Sequence, residues 1–264
     1  MPTVYIQPGT GTGSGTKADP YYYSELGTAE TAAGNDGIIL FTEGTYTFAS
    51  DQAWDSGGSS NMTYKSEEDF KAKLQGSGSV RELIISGGTS VKIEGFLCED
   101  ISYDPSTVAI VTFNKLKQID SGTYGHDNNG LIYGNNNSAT YTHIVSNCSF
   151  SLSYTAAGRL FLRLRATFTS CSFHLRCSAV SAGGVTGYIN NNTYKNCIFS
   201  SDNNSAINTS ALDIADTTNC CIDDFSHTSG GTDNIFVDPQ FVDPTTGDLR
   251  LRPSSPCIGA ATTS

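Results

Sequence analysis

The feature that most constrains this chain is a short phrase that recurs four times. The copies are SNCSF at 146–150, TSCSF at 169–173, KNCIF at 195–199 and TNCCI at 218–222. Their cysteines, Cys148, Cys171, Cys197 and Cys220, are separated by 23, 26 and 23 residues. A period in the twenties is typical of a solenoid, in which each turn of chain buries its inner face against the next turn.

Composition favours short strands over long helices. The 264 residues are only 16% charged and include 27 glycines, while the 38% of hydrophobic residues is too high for a disordered chain. Leucine-rich repeats share the period, but these copies use Cys, Phe, Ile and Asn where such repeats need Leu. Coils of parallel β-strands remain as the interpretation.

In stacked coils the recurring cysteines are expected to act as small buried hydrophobes. Neighbouring strands lie about 4.8 Å apart, which is within the Cα range of a disulfide. The side chains of one row point the same way, however, so we predict free thiols. The polar residues that precede them are predicted to line one corner of the coil: Asn147, Ser170, Asn196 and Asn219.

We expect one domain over 1–264, with four segments. They are an N-terminal entrance at 1–50, a loop-helix insertion at 51–79, the coils at 80–237 and a C-terminal cap at 238–264. In the entrance, a short helix is predicted to end near Gly34, and DGIILFTEGTYTF at 36–48 predicts strand, turn and strand. In the insertion, Ser66 is expected to open a helix over EEDFKAKLQ at 67–75, with Phe70 and Leu74 on one face.

Two further stretches carry a family resemblance. DGIILFTEGTY at 36–46 is similar to an entrance motif, and NIFVDPQFVDPTTGDLRLRPSSPCIGA at 234–260 to an ending, of the pectate-lyase-like superfamily. The recurring NC-x-F phrases resemble the strands of the same family. The resemblance implies an all-β, single-stranded, right-handed parallel β-helix of about seven to nine coils, with a short N-terminal capping helix and the small helical insertion.

Charge is segregated along the chain. Residues 128–201 contain no Asp or Glu, and their five cations are Arg159, Arg163, Arg165, Arg176 and Lys195. This stretch carries +5, so the remainder must carry −16 to give the net charge of −11. Alternation in RLFLRLRA (159–166) and CSFHLRC (171–177) directs one set of side chains outward. The set singled out as ligand-binding is Arg159, Phe161, Arg163, Arg165, His174 and Arg176.

An anionic glycan suits this face, because guanidinium groups bind carboxylates or sulfates in a forked geometry and Phe161 could stack on a sugar ring. Two alternatives remain open. The arginines could pair with acidic residues of a neighbouring subunit, or they could simply be solvated.

Catalytic chemistry is the less favoured interpretation. The resemblance implies that a lyase would use an Arg base with calcium, which makes Arg163 and Arg165 weak candidates. Calcium needs several oxygen ligands, which would have to come from flanking acids: Asp120, Asp127, Asp202, Asp213 and Asp216. The pairs Asp213 with Asp216 and Asp223 with Asp224 could serve a hydrolase, but acids this close in a turn are usually solvated. We predict no metal and no cofactor, with calcium only in the lyase alternative.

Three other features are interpreted as structural. GTGTGSG at 9–15 is a loop, because it lacks the GK[ST] ending of a phosphate-binding loop. Trp54, which could stack on a sugar, is expected to pack the insertion. His126 and Asp127 are expected to form a turn.

Function is predicted as a bacteriophage virion structural protein on the particle surface, made in the host cytoplasm, glycan-binding or host-adhesive and not catalytic. It would be a decoration, fibre or tail-associated β-helix. The resemblance implies a homotrimer, in contact with itself or with other virion proteins. A polysaccharide lyase or depolymerase for an acidic glycan and a secreted cell-surface adhesin are the alternatives. The net charge disfavours nucleic acid as a partner, no apolar run spans a membrane, and MPTVYIQPGTGTG has no signal-peptide pattern.

Overall fold

The computed structural model shows that the chain is a parallel β-helix, as predicted. It describes residues 1–54, 61–77, 81–85, 89–104, 110–119, 132–133, 143–154, 161–162, 166–177, 192–201, 216–223 and 230–260. The chain divides into two compact units. Unit 1 comprises residues 1–117 and 134–144, and unit 2 comprises residues 118–133 and 145–264.

The described part of unit 1 consists of three parallel sheets and one α-helix. Its elements are β1 Thr3–Gln7, β2 Tyr21–Tyr22, α1 Leu26–Ala33, β3 Ile38–Phe41, β4 Gly44–Phe48, β5 Gln52–Trp54, β6 Met62–Ser66, β7 Ala72–Gly76, β8 Arg81–Ile85, β9 Ser90–Glu94, β10 Leu97–Glu99, β11 Ile101–Asp104 and β12 Ile110–Asn114. Within this unit, sheet 1 has the order β2-β1-β3-β6-β9-β12, sheet 2 the order β4-β7-β10 and sheet 3 the order β5-β8-β11. Successive strands visit the three sheets in turn, which is how a β-helix winds.

The entrance matches its prediction. The helix α1 ends at Ala33 and is capped by Gly34, whose φ of 61° is readily adopted by glycine. A turn connects strands β3 and β4; β3 belongs to sheet 1 and β4 to sheet 2. Trp54 is fully buried, stacked on Tyr64 at 4.5 Å between ring centroids, so it packs the core and cannot stack on a sugar.

The predicted helix over 67–75 is wrong. Residues 72–76 form β7, which pairs in parallel with β4 and β10. Alternation explains the outcome: Ala72 and Leu74 are buried while Lys73 and Gln75 lie on the other face. Ser66 does not cap a helix; its hydroxyl accepts the Ala72 N–H within the turn. The coils therefore begin well before residue 80, and 61–77 belongs to one of them.

Unit 2 repeats the three-sheet pattern, and two of its strands straddle the unit boundary in sequence. Its strands are β13 Lys117–Ile119, β14 Ile132–Tyr133, β15 His143–Ser146, β16 Ser149–Tyr154, β17 Phe161–Leu162, β18 Ala166–Thr169, β19 Ser172–Cys177, β20 Thr193–Lys195, β21 Ile198–Ser201, β22 Thr217–Thr218, β23 Cys221–Asp223, β24 Phe241–Asp243 and β25 Asp248–Leu251. Sheet 1 has the order β15-β18-β20-β22, sheet 2 the order β13-β16-β19-β21-β23, and sheet 3 the pair β14-β17. Strands β24 and β25 form an antiparallel hairpin.

In unit 2, a two-residue corner joins each sheet 1 strand to the following sheet 2 strand. Its first residue is left-handed, with φ between 52° and 55° at Asn147, Ser170, Asn196 and Asn219. The N–H of Asn196 donates to the Thr218 carbonyl of the next coil at 3.0 Å, and Asn147 and Ser170 donate in the same way. Asparagine is enriched in this conformation, which explains why the corner repeats Asn. The predicted corner is confirmed.

The second corner residue is the recurring cysteine, and it faces the interior. Cys148, Cys171, Cys197 and Cys220 are all buried and free, as predicted. Two residues further on, Phe150, Phe173 and Phe199 stack with centroid spacings of 5.2 and 4.9 Å. The interior of unit 2 is thus a thiol row beside an aromatic row.

The aromatic row predicts a large stability effect. Phe173→Ala should lower the free energy of unfolding by about 3–5 kcal/mol, because it empties a fully buried site between two rings. Phe70→Ala is the control, since that side chain is 41% exposed and should change stability by less than about 0.5 kcal/mol. Urea unfolding monitored by circular dichroism measures both, and equal losses would contradict the stacked interior.

Candidate functional site

Most of the predicted binding face lies beyond the described residues. Arg159, Arg163 and Arg165 are outside them, and of Phe161 only the backbone is described, in β17 beside Ile132 of β14. The roles of these four residues stay predictions. Their place in the chain is clear: they flank or belong to the strand that enters sheet 3 between β16 and β18.

His174 points away from the core, as its alternation in β19 requires, but the prediction that it is exposed is wrong. The side chain is buried, with 3% of its surface accessible. Its ring meets the Phe241 ring edge-on at 6.3 Å between centroids, and its Nδ1 atom lies 2.8 Å from the Ser200 hydroxyl. The residue that covers it belongs to the C-terminal part of the chain, 67 positions away.

Arg176, two residues further along β19, is half-buried and lies beside Ser153 of β16. Its Nε atom is buried and has no hydrogen-bond partner among the described residues. Arg176 is thus only partly covered, whereas His174 does not belong to an open face.

His174 is one member of a polar row on the outer face of sheet 2. Strand register places Ser151 opposite His174, His174 opposite Ser200, and Ser200 opposite Asp223. We call these four residues the polar row. Each is the third residue after the cysteine of its own repeat. An alignment of the four repeats would have found the row, whereas inspection of single strands missed Ser151 and Ser200 and considered Asp223 only together with Asp224.

The C-terminal segment, residues 238–260, crosses this row. Phe241 packs on His174, the Pro244 carbonyl accepts a hydrogen bond from the Ser151 hydroxyl at 3.0 Å, and Gly247 lies against Ile119 of β13. The segment thus contacts β19, β16 and β13 at steps of three residues. This covering explains why an outward side chain is buried.

The segment is shaped by its own turn residues. The Asp238 carboxylate accepts the Gln240 N–H at 2.7 Å, and the Asp243 carboxylate accepts the Thr245 N–H at 3.2 Å. The Ser255 hydroxyl donates to the Pro239 carbonyl at 2.6 Å, which draws the end of the segment back to its start. Asp238 and Asp243 therefore serve as turn residues.

A serine hydroxyl hydrogen-bonded to histidine can act as an activated nucleophile when substrate reaches it. Here Ser200 and His174 are 4% and 3% exposed, so no substrate has access to the pair in this arrangement. Its role in the observed structure is to satisfy two buried polar groups beneath the C-terminal segment.

Unit 1 carries a separate charged cluster around Glu94, on the outer face of sheet 1. Register sets Lys65 and Asn114 on either side of Glu94, and the Lys65 ammonium lies 2.9 Å from its carboxylate. Lys92 and Asn114 bind the same carboxylate. Burial raises the pKa of Glu94, but these hydrogen bonds outweigh burial and hold the pKa at about 2. The cluster is a compensated network rather than an open cation site.

Two further buried titratable groups, Cys98 and His143, serve packing. Burial raises the pKa of the Cys98 thiol to about 12 and lowers that of His143 to about 4, so both are neutral at pH 7. Nδ1 of His143 accepts the Val111 N–H at 3.1 Å. Across the described residues, His, Cys, Asp and Glu side chains form no group of three that could hold a metal. No described helix has the length and hydropathy needed to cross a membrane.

Among known proteins, only solved structures resemble this chain. No family model and no curated protein matches the sequence. Pectin methylesterase PemA from Erwinia chrysanthemi is similar, with a TM-score of 0.48 and 12% identity over 89% of this chain and 74% of that chain. A pectin methylesterase in complex with a hexasaccharide gives the same values. A likeness at this level carries no information on function.

The Glu94 cluster predicts a defined pH dependence. Because the folded-state pKa lies below the usual value, the cluster stabilises the fold above about pH 4.5 and loses that contribution as pH falls toward 2. Glu94→Gln should cost about 1–3 kcal/mol at pH 7 and almost nothing near pH 2. Urea unfolding across this range measures the difference, with Glu43→Gln, whose side chain is 74% exposed, as control. A pH-independent difference would contradict the cluster.

Docking of the C-terminal segment can be tested at a glycine. Gly247 has φ of 77°, and a Cβ there would lie 2.9 Å from Ile119 Cγ1, whereas at Gly259, with φ of 75°, a Cβ would meet nothing. Gly247→Ala should therefore cost about 2–4 kcal/mol and Gly259→Ala only about 1–2, since both share the backbone strain and only the first adds a clash. Thermal unfolding compares the pair, and equal costs would refute the described packing.

Proposed function

We propose that this protein is a structural β-helix of a bacteriophage particle that binds an anionic glycan on the particle surface without cleaving it. The binding face comprises Arg159, Phe161, Arg163, Arg165 and Arg176, without His174. We expect this face to lie on a wall of stacked parallel strands, which would suit recognition of an extended polymer.

The observation that carries the proposal is the segregation of charge. In unit 1, described lysines pair with carboxylates of the same unit, as in Lys65 with Glu94, Lys115 with Asp69 and Lys71 with Glu43. Four arginines of unit 2 lie instead within 74 residues that contain no carboxylate. Cations without acidic neighbours in sequence, on a chain of net charge −11, support recognition of an external polyanion.

The interior supports a particle protein over a secreted one. Cys98 and the four-cysteine row of unit 2 are buried and free, so the coils use thiols as core filler. Free thiols are characteristic of proteins that fold in a reducing compartment. A protein assembled in a host cytoplasm and released with the particle meets that condition, and a homotrimer is the assembly we propose.

Glycan binding is tested with a panel of acidic and neutral polysaccharides. The purified protein should bind polygalacturonate or a sulfated glycan, and bind more weakly as salt is raised. Arg159→Ala with Arg163→Ala and Arg165→Ala should weaken binding at least about tenfold, because charge-assisted hydrogen bonds are lost. Arg250→Ala with Arg252→Ala is the matched control. Arg250 is already paired with Asp248 through a 2.8 Å hydrogen bond, so affinity should hold.

Each outcome separates the alternatives. Binding without release of unsaturated sugars, with or without calcium, supports the proposal, and a trimer in analytical ultracentrifugation supports the particle assembly. Unsaturated products that depend on Arg163 or Arg165 would replace the proposal with the polysaccharide lyase. Equal binding by the triple variant and wild type would remove the arginine face from the function.

A further inference from the structure

The C-terminal segment is joined to unit 2 by a covalent bond. Cys221, the first residue of β23, forms a disulfide with Cys257, 36 positions later, with 6.1 Å between their Cα atoms. Register places Cys221 beside Ile198, which is itself beside Ser172, on the outer side of sheet 2. The bond therefore fastens the segment to the same outer face that carries the polar row.

The two sulfurs of this bond differ from the other described thiols. Cys98, Cys148, Cys171, Cys197 and Cys220 are free and buried in the interior. Cys220 and Cys221 are adjacent in sequence, yet the first belongs to the inner row and the second to the outer face. The described cysteines that face the coil interior are thus all free, and the described disulfide joins the C-terminal segment to sheet 2.

Residues before the segment are held by the coil itself. The Thr232 N–H donates to the Thr217 carbonyl at 3.0 Å, the Ile222 N–H to the Ile235 carbonyl at 2.9 Å, and the Cys220 N–H to the Asn234 amide oxygen at 2.8 Å. Beyond residue 237 the segment leaves this ladder. Its described contacts with sheet 2 then include the Phe241 ring, the Pro244 carbonyl, Gly247 and the disulfide.

We propose that Cys221 and Cys257 form a redox latch that closes after the coils have folded and holds the C-terminal segment over the polar row. In reducing surroundings both are thiols and the segment is held only by noncovalent contacts. In oxidising surroundings the bond forms and the segment is fixed. Disulfides persist in oxidising environments and are rare in reduced cytoplasm, so the latch responds to transfer between the two.

The bond is made by thiol–disulfide exchange with a small-molecule disulfide such as oxidised glutathione. The thiolate of one cysteine attacks the small disulfide, giving a mixed disulfide and one small-molecule thiolate. The second cysteine thiolate then displaces the other small-molecule thiolate. The two cysteines are oxidised, one small disulfide is reduced to two thiols, and the two cysteine protons pass to the released thiolates.

Opening the latch uncovers the polar row. His174 and Ser200, buried beneath Phe241 when the segment is docked, would meet solvent when it lifts. His143 in unit 1 is also buried, and its described contact is the Val111 N–H of the same unit. The two histidines therefore make an internal comparison, in which only His174 responds to the redox state.

The test treats the full chain with oxidised glutathione or with dithiothreitol and compares the two forms. Peptide mapping should show the Cys221–Cys257 link only in the oxidised form, with a mass lower by two hydrogen atoms. Reduction should speed carbethoxylation of His174 and amide exchange in β24 and β25 by at least about tenfold, since a tethered element becomes free to open locally. Modification of His143 should not change.

Variants separate the latch from a general effect of reductant. Cys257→Ser should show fast His174 modification in both conditions, whereas Cys220→Ser, the same change in the inner thiol row, should retain the wild-type redox response. Should a variant fold poorly, the wild-type comparison stands by itself. The proposal would be overturned if both thiols stayed free in oxidised glutathione, or if the rate of His174 carbethoxylation were the same with and without the disulfide. Neither result would bear on the proposed glycan binding.

Discussion

The left-handed corner between sheets 1 and 2 is the constraint on which the rest of the structure depends. At Asn147, Ser170 and Asn196 the backbone takes φ near 55°, and each N–H donates to a carbonyl of the next coil at 3.0 Å. A corner of fixed length sets the register of every strand that follows it. The cysteine after the corner faces inward, the residue two positions later joins the aromatic row, and the residue three positions later joins the polar row.

Much of this could be predicted from sequence because the corner leaves a repeated signal. The spacing of the cysteines and the Asn before them predict stacked coils, buried thiols and a polar corner, and all three are observed. The left-handed backbone was not predicted, although Asn at a fixed place in every repeat is what that conformation favours. A repeated motif can be interpreted from sequence because each copy occupies the same position in its coil.

Prediction failed where two local patterns compete. EEDFKAKLQ has a helical composition and a plausible cap at Ser66, yet Ala72-Lys73-Leu74-Gln75 also alternates with the period of a strand. Pairing with β4 and β10 stabilises the strand and decides the outcome. These hydrogen bonds and the burial of Leu74 depend on strands that lie outside the local stretch of sequence. The prediction that His174 is exposed failed for a similar reason. Alternation gives the direction of a side chain, but its cover, Phe241, comes from a distant stretch of sequence.

The doublet Cys220–Cys221 shows how far the corner rule extends. Because Cys220 occupies the second corner position, it faces inward like the other three members of its row. Cys221 begins β23, so the alternation of a strand turns it to the outer face, where Cys257 reaches it. Two adjacent cysteines therefore have different roles: Cys220 is a free thiol that packs the core, and Cys221 forms a crosslink. The same geometry that fills the interior with thiols also determines which thiol is available to fasten the C-terminal segment.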